Sequence, residues 1–323
     1  MGQQPILTVN NLNIDVSTPY GVTRTVHDVS FKIEAGKVFG LVGESGSGKT
    51  MTCMSLLNLL PDEAKVVKGS IQFRNKDILN YSEEDMRKVR GSEIATIMQN
   101  PMTAFNPVRT IGRHFIETLR THLPITKHQA REMAVAYLEK MDLPYPENLL
   151  KQYPFQLSGG MLQRAMIAIT MSLNPSILIA DEPTTALDAT NQLQILKQLN
   201  WLREEYDTGI LLVSHDLGVI AQLADEVAVM YGGYIVEKAP VFKLFNRPMH
   251  PYTRVLLESR IGLTRRKTKI VKHISVPPPN LINRENTCPF LERCEDADHT
   301  CSSYNLELKE YEKNHLVRCL KSG

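Results

Sequence analysis

Apolar and polar residues alternate with period two over residues 6–14 (Ile-Leu-Thr-Val-Asn-Asn-Leu-Asn-Ile), 26–33 (Val-His-Asp-Val-Ser-Phe-Lys-Ile) and 69–73 (Gly-Ser-Ile-Gln-Phe). That period predicts strands with one face buried and one wet, as in an antiparallel sheet. A second kind of run, Ile94-Ala95-Thr96-Ile97-Met98, Ile177-Leu178-Ile179-Ala180 and Ile210-Leu211-Leu212-Val213, is short and nearly all apolar. Strands of that composition are covered on both faces, as in a parallel sheet. Two further runs, Glu226–Tyr231 and Tyr234–Glu237, flank Gly232-Gly233 and predict a hairpin. Together they predict an α/β fold carrying an additional antiparallel sheet. Between the strand at 94–98 and the one at 177–180 the period changes to that of a helix. Ala130, Met133, Ala134, Tyr137, Leu138 and Met141 share one face, and this methionine-containing stripe reads as core packing rather than a ligand box.

Composition adds limits. The 323 residues are 42% hydrophobic and 22% charged, an ordinary globular balance with length for one large domain and a small appendage. A net charge of +2 lacks the basic excess of a protein that tracks nucleic-acid phosphates, so no nucleic-acid partner is expected. No apolar run reaches the ~18 residues of a membrane span, and Met1–Asn10 lacks a secretory apolar region. A cytosolic chain with reduced thiols is expected, so the five cysteines are not read as a disulfide framework. Past Gly262 the basic run Arg265-Arg266-Lys267 and the stiff Pro277-Pro278-Pro279 predict a linker over 261–285. This divides a large domain, residues 1–260, from a small cysteine-bearing module, residues 286–323.

The chemistry starts where the apolar run Val38–Val42 meets Gly43-Glu44-Ser45-Gly46-Ser47-Gly48-Lys49-Thr50, which fits G-x-x-x-x-G-K-[ST]. A strand, a glycine-rich turn and a helix, here predicted over Met51–Leu60, set successive backbone N–H groups around a concave space with a helix dipole behind. Phosphates bind in such a cradle, formed here by Gly43, Ser45, Gly46, Ser47 and Gly48. Lys49 would reach the β- and γ-phosphates and Thr50 would hold Mg²⁺. The bland alternative is a surface glycine turn. A second apolar strand, Ile177–Ala180, ends in Asp181-Glu182. A carboxylate at that end of a strand beside a phosphate loop can hold Mg²⁺, and its neighbour can orient the attacking water.

About twenty residues before Asp181 stands Leu157-Ser158-Gly159-Gly160-Met161-Leu162-Gln163-Arg164, leading into an apolar helix that ends at Asn174-Pro175. Here the chain resembles the ATP-binding subunits of ABC transporters, whose signature is L-S-G-G-Q followed by a helix. The likeness covers roughly residues 5–260. Gln99 after an apolar strand, Asp188 after Ala186-Leu187, and His215 after Val213-Ser214 stand in the family's order. The resemblance implies a P-loop ABC ATPase fold: a RecA-like core, an antiparallel β subdomain and an α-helical subdomain over about 100–172. It implies two cassettes meeting head to tail, with Ser158, Gly159 and Gly160 of one facing the γ-phosphate held by the other. It assigns Glu182 as general base or water-orienting group, His215 to the γ-phosphate, and Gln99 to sensing Mg²⁺ and the water. Asp181 joins Thr50 and Gln99 at Mg²⁺, Asp188 belongs to the ATP site, and Tyr20 resembles the aromatic residue that stacks on adenine. Met161 replaces the usual Gln, away from the donors, and activity is expected to survive.

Within the family, Asn100–Pro107, Ser158–Met161 and His250-Pro251-Tyr252-Thr253 resemble importers for peptides and nickel. The tail carries Cys288, Cys294, Cys301 and Cys319, spaced C-x₅-C-x₆-C-x₁₇-C, with His315 near the last. In a reducing compartment four clustered thiols point to a metal, and the tail resembles that of dipeptide and oligopeptide importer ATPases, implying a 4Fe–4S cluster, with Zn²⁺ as the alternative. Cys53, in the helix after the phosphate loop, reads as a small buried hydrophobe. Residues 95–101 look closest to nickel importers and the tail to peptide importers; peptides are favoured. The implied partners are a second, non-identical ATPase subunit, two transmembrane permease subunits and an extracytoplasmic solute-binding protein, with this chain on the cytoplasmic face of the membrane. A soluble ABC ATPase of translation or DNA repair would carry two fused cassettes or a long coiled coil, and neither is present.

Overall fold

The computed structural model describes residues 4–185, 187–261, 287–302 and 307–321. The expected linker over 261–285, with its basic and proline runs, lies almost wholly outside the described residues, as does Ala186. The strands are β1 (Leu7–Thr18), β2 (Gly21–Ile33), β3 (Val38–Val42), β4 (Ala64–Phe73), β5 (Lys76–Asp77), β6 (Ile94–Ile97), β7 (Ile177–Asp181), β8 (Gly209–Ser214), β9 (Glu226–Tyr231), β10 (Tyr234–Pro240), β11 (Lys309–Glu312) and β12 (His315–Val317). The chain divides into two compact units, one of Met1–Ile6, Ile33–Val38 and Asn80–Val213, the other of Leu7–Lys32, Phe39–Leu79 and Ser214–Gly323.

In the first unit β6, β7 and β8 run parallel, in register from Ile94↔Ile177 and Ile177↔Gly209. Their apolar runs are buried almost throughout, as strands covered on both faces require. The rest of the unit is mainly helical. Thr110 caps the helix Ile111–His122 through the Arg113 N–H, and Thr126 with Gln129 closes a capping box on the helix Lys127–Lys140. The predicted stripe faces inward: Ala130, Ala134, Leu138 and Met141 are fully buried.

The second unit holds an antiparallel sheet in the order β2-β1-β4-β5, in which Leu7 pairs with Phe73 and Val9 with Ile71. It also holds a mixed set: β3 lies parallel to β9, β10 returns antiparallel on β9 across the Gly232-Gly233 turn, and β12 and β11 follow antiparallel. The tail hairpin β11-β12 thus extends the sheet, with Glu237 opposite Val317 and Lys238 opposite Leu316. The helix after the phosphate loop, Lys49–Leu56, stops four residues before the predicted end. Asn58 adopts a left-handed conformation (φ 50°) and the Leu59 N–H returns to the Met54 carbonyl, a terminal turn that halts the helix ahead of Pro61.

Candidate functional site

The phosphate loop begins where buried β3 ends. A Cβ on Gly43 would stand 2.2 Å from the Met230 carbonyl oxygen, so only glycine lets the loop leave the strand here. Lys49 is 8% exposed, and its ammonium donates to the carbonyls of Gly43 (2.7 Å) and Glu44 (3.0 Å). The lysine therefore lies along the inside of its own loop. The Thr50 hydroxyl is exposed, and among the described residues it makes no hydrogen bond, which leaves its lone pairs available to a cation. Sequence reasoning missed what surrounds Glu44. Its N–H donates to the Tyr252 hydroxyl (3.0 Å), and its carboxylate takes a two-point hydrogen bond from Arg293 of the tail (2.9 and 3.1 Å). Arg293 also donates to the Tyr231 hydroxyl at 3.0 Å, and burial raises the pKa of both tyrosines. No spacing rule joins residues 249 positions apart. Tyr20 stands 87% exposed on the turn between β1 and β2, free to receive a flat partner, and His215 is exposed just past β8.

In the first unit β7 delivers Asp181 opposite Val213. Glu182 continues the pairing with its N–H on the Val213 carbonyl (2.9 Å) but turns to φ 51°, a left-handed conformation that a glutamate adopts at a cost. Its carboxylate accepts a hydrogen bond from the Thr185 hydroxyl at 3.0 Å. Ser158 caps the helix Gly159–Met171: its Oγ accepts the Met161 N–H (3.3 Å), so the hydroxyl proton can still be donated outward. Ser158 and Gly159 are exposed at that positive helix end. Gly160 is buried, and a Cβ there would meet the Asn191 amide at 2.7 Å. Asn191 in turn holds the Asp188 carboxylate through its backbone N–H (3.0 Å) and side chain (2.5 Å). These two bonds hold the Asp188 carboxyl below the ordinary carboxylate range. Buried Gln163 donates to the Pro183 carbonyl (3.0 Å), tying the same helix to the loop after the strand-end acids. Gln99, two residues past β6, is exposed. In the first unit, therefore, the helix capped by Ser158 packs through Gly160 against Asn191, which holds Asp188, and is tied through Gln163 to the loop after Glu182.

Cys288, Cys294, Cys301 and Cys319 line one small pocket of about 10 Å³ with His250, Phe290 and Leu291. Burial, together with the neighbouring thiols, pushes the Cys288 thiol up to about 11. Among the described residues no three His, Cys, Asp or Glu side chains form a group that could hold a metal ion. The iron–sulfur site, and zinc in its place, are thus not present as a ready ligand set: the thiols surround a space of one water's size, with apolar walls. His315 is engaged elsewhere, its Nε2 lying 2.7 Å from Glu237 with both side chains fully buried. Cys53 is buried, as expected.

A glycine cradle after a strand serves many nucleotide hydrolases, but a serine-capped glycine helix tied to strand-end acids narrows the class to the ATP-binding cassettes. The chain belongs to the ABC transporter ATP-binding proteins: residues 26–185 match the family model described as ABC transporter, and residues 236–301 match the oligopeptide/dipeptide transporter C-terminal region. It is 43% identical to the oligopeptide transport ATP-binding protein AppD of Bacillus subtilis, over 97% of this chain and 96% of that one. With the dipeptide transport ATP-binding protein DppD of the same organism the figures are 41%, 98% and 94%. In fold it is similar to a dimeric, post-hydrolysis ATP-binding cassette, MJ0796, solved with ADP and Pi: TM-score 0.66 and 24% identity over 73% of this chain and 98% of that one. The protein is thus an ATP hydrolase of the ABC type, which works on ATP with Mg²⁺. Among the described residues no helix is long and apolar enough to cross a membrane.

Proposed function

We propose that this chain is the ATP-hydrolysing subunit of an importer for di- and oligopeptides. It works at the cytoplasmic face of the membrane with two permease subunits, a second, non-identical cassette and an extracytoplasmic solute-binding protein. The observation that carries the substrate class is the tail, whose match to the oligopeptide/dipeptide region accompanies 41–43% identity with peptide-transport ATPases along nearly the whole chain. The nickel-like run, residues 95–101, is short beside that.

In this reading residues 1–260 are the cassette and 286–323 its appendage. Gly43, Ser45, Gly46, Ser47, Gly48 and Lys49 hold the phosphates, and Tyr20 stacks on the base. Thr50, Gln99 and Asp181 are the residues for Mg²⁺, which when bound offsets phosphate charge. Glu182 takes the proton of the attacking water as its oxygen bonds the γ-phosphorus and ADP leaves, and His215 contacts the γ-phosphate. The strained backbone at Glu182 supports that assignment, because strain of this kind survives where the surrounding structure imposes it for a purpose. Ser158, Gly159 and Gly160 serve the γ-phosphate of the opposite cassette, a role the free proton of Ser158 supports, and Asp188 belongs to the ATP site.

The test is ATP turnover by the complex with and without a captured peptide. Peptide is expected to stimulate turnover, and Glu182→Gln to lower it about 10²–10⁴-fold with ATP binding retained. Stimulation by a nickel chelate and not by peptides would reverse the substrate assignment. For the tail, the four thiols on one cavity support a bound 4Fe–4S cluster or Zn²⁺ only if loading widens that space. A visible absorbance band lost on Cys294→Ser supports iron; stoichiometric zinc supports the other.

A further inference from the structure

We propose that Arg293, in the C-terminal tail, is a positioning residue of the ATP site, acting through Glu44 of the phosphate loop; the inference rests on the ATPase reading above. One residue of the loop is fixed at three points. The Glu44 N–H is spent on Tyr252, its carbonyl receives the Lys49 ammonium, and its carboxylate receives both terminal nitrogens of Arg293. Arg293 is itself sequestered: its side chain is 5% exposed against 29% for Glu44, and a third contact runs to the Tyr231 hydroxyl. A planar guanidinium in a two-point bond sets the orientation of the carboxylate as well as its distance, which an ammonium does not do.

The charge matters as much as the geometry. Glu44 follows directly on Gly43, in a loop whose task is to take in a polyanion, and an unbalanced carboxylate there would repel the incoming phosphates. Arg293 offsets that charge and, through the Glu44 carbonyl, steadies the anchor of Lys49. This ion pair joins the tail to the phosphate loop. Arg293 ends the turn Leu291–Arg293 and immediately precedes Cys294, so the packing of the thiol cavity fixes where the guanidinium stands.

The test is ATP affinity and steady-state kinetics of the full-length chain carrying Arg293→Ala, Arg293→Lys, or Arg293→Ala with Glu44→Gln. Arg293→Ala is expected to weaken ATP binding about 10-fold, with kcat at saturating ATP within about 2-fold, and Arg293→Lys to weaken it about 3-fold. Adding Glu44→Gln to Arg293→Ala is expected to restore affinity to within about 2-fold, because it removes the charge that Arg293 offsets. A brace that acts on folding alone would lower the denaturation midpoint and leave the ATP affinity of the folded chain unchanged. ATP binding by Arg293→Ala as tight as wild type, or a double variant as weak as the single one, overturns the proposal. If Arg293→Ala does not fold, Arg293→Lys decides: weakening relieved by Glu44→Gln supports it, and no weakening overturns it. A wild-type chain that does not bind ATP defeats the ATPase reading itself, whereas normal wild-type binding with an indifferent Arg293→Ala defeats this inference alone.

Discussion

Gly160 shows how one missing side chain positions others. Its Cα lies against Asn191, which holds Asp188, so a methyl group at 160 displaces the amide and releases the carboxylate at the start of the helix Ala189–Tyr206. Gly160→Ala is expected to leave ATP binding near wild type and to lower turnover about 10²-fold, the scale of a displaced reacting group; equilibrium binding beside single-turnover hydrolysis checks it. At this scale the sequence was readable wherever chemistry depends on local order. The phosphate loop and the strand-end pair Asp181-Glu182 are runs of adjacent residues that the succession of strand, turn and helix marks, whereas Ser158 was marked by the resemblance to the L-S-G-G-Q signature. Arg293, Tyr231, Asn191 and Gln163 were not readable, because each acts through a partner remote in sequence and a lone arginine or glutamine carries no period or spacing to mark it.

Among the elements, the tail hairpin departs most from expectation. A short segment with little core of its own suggests a metal as its staple, yet β12 pairs with β10 and carries His315 onto Glu237. Glu237 also accepts the N–H groups of Met249 and His250, so one buried carboxylate fastens β10, β12 and the start of the helix Pro251–Ile261. His315→Ala removes one arm and is expected to cost about 3 kcal/mol in chemical denaturation, the scale of breaking a buried charged or hydrogen-bonded pair. The hairpin was illegible because Lys309–Glu312 and His315–Val317 are too short and too polar for a period to show. The strands of the core, long or wholly apolar, were legible for the opposite reason.

β2 supplies an acid-sensitive element in the same unit. His27 stacks on Tyr234 at 4.1 Å and is held down to about 4, first by burial and then by the nearby Arg24 guanidinium. Its folded form is neutral, whereas the unfolded chain protonates near 6.5, so between about 6.5 and 4 the unfolded state binds the extra proton. Stability contributed by this residue is intact above that window and lost as pH falls through it. Denaturation midpoints for wild type and His27→Gln are expected to converge on acidification from pH 7 to 4.5; parallel curves would remove His27 as the cause.

For the molecule as a whole, a single chain carries both a phosphate cradle and a serine-capped helix end with exposed Ser158 and Gly159. An exposed, positively polarised helix terminus whose serine keeps a free proton suits an anion supplied by another subunit. In the proposed function both subunits grip the γ-phosphate, so hydrolysis would govern their association. Glu182→Gln, which stalls hydrolysis, is expected to form a stable pair with its partner cassette in ATP and Mg²⁺ and to stay apart in ADP, as read by light scattering after size-exclusion chromatography. Ser158→Arg, which fills that helix end with a bulky cation while leaving this chain's own cradle intact, is expected to halve the number of nucleotides trapped in the pair. A pair that forms equally well in ADP, or that Ser158→Arg leaves with its full complement of nucleotide, would place the contact between cassettes somewhere other than the shared triphosphate.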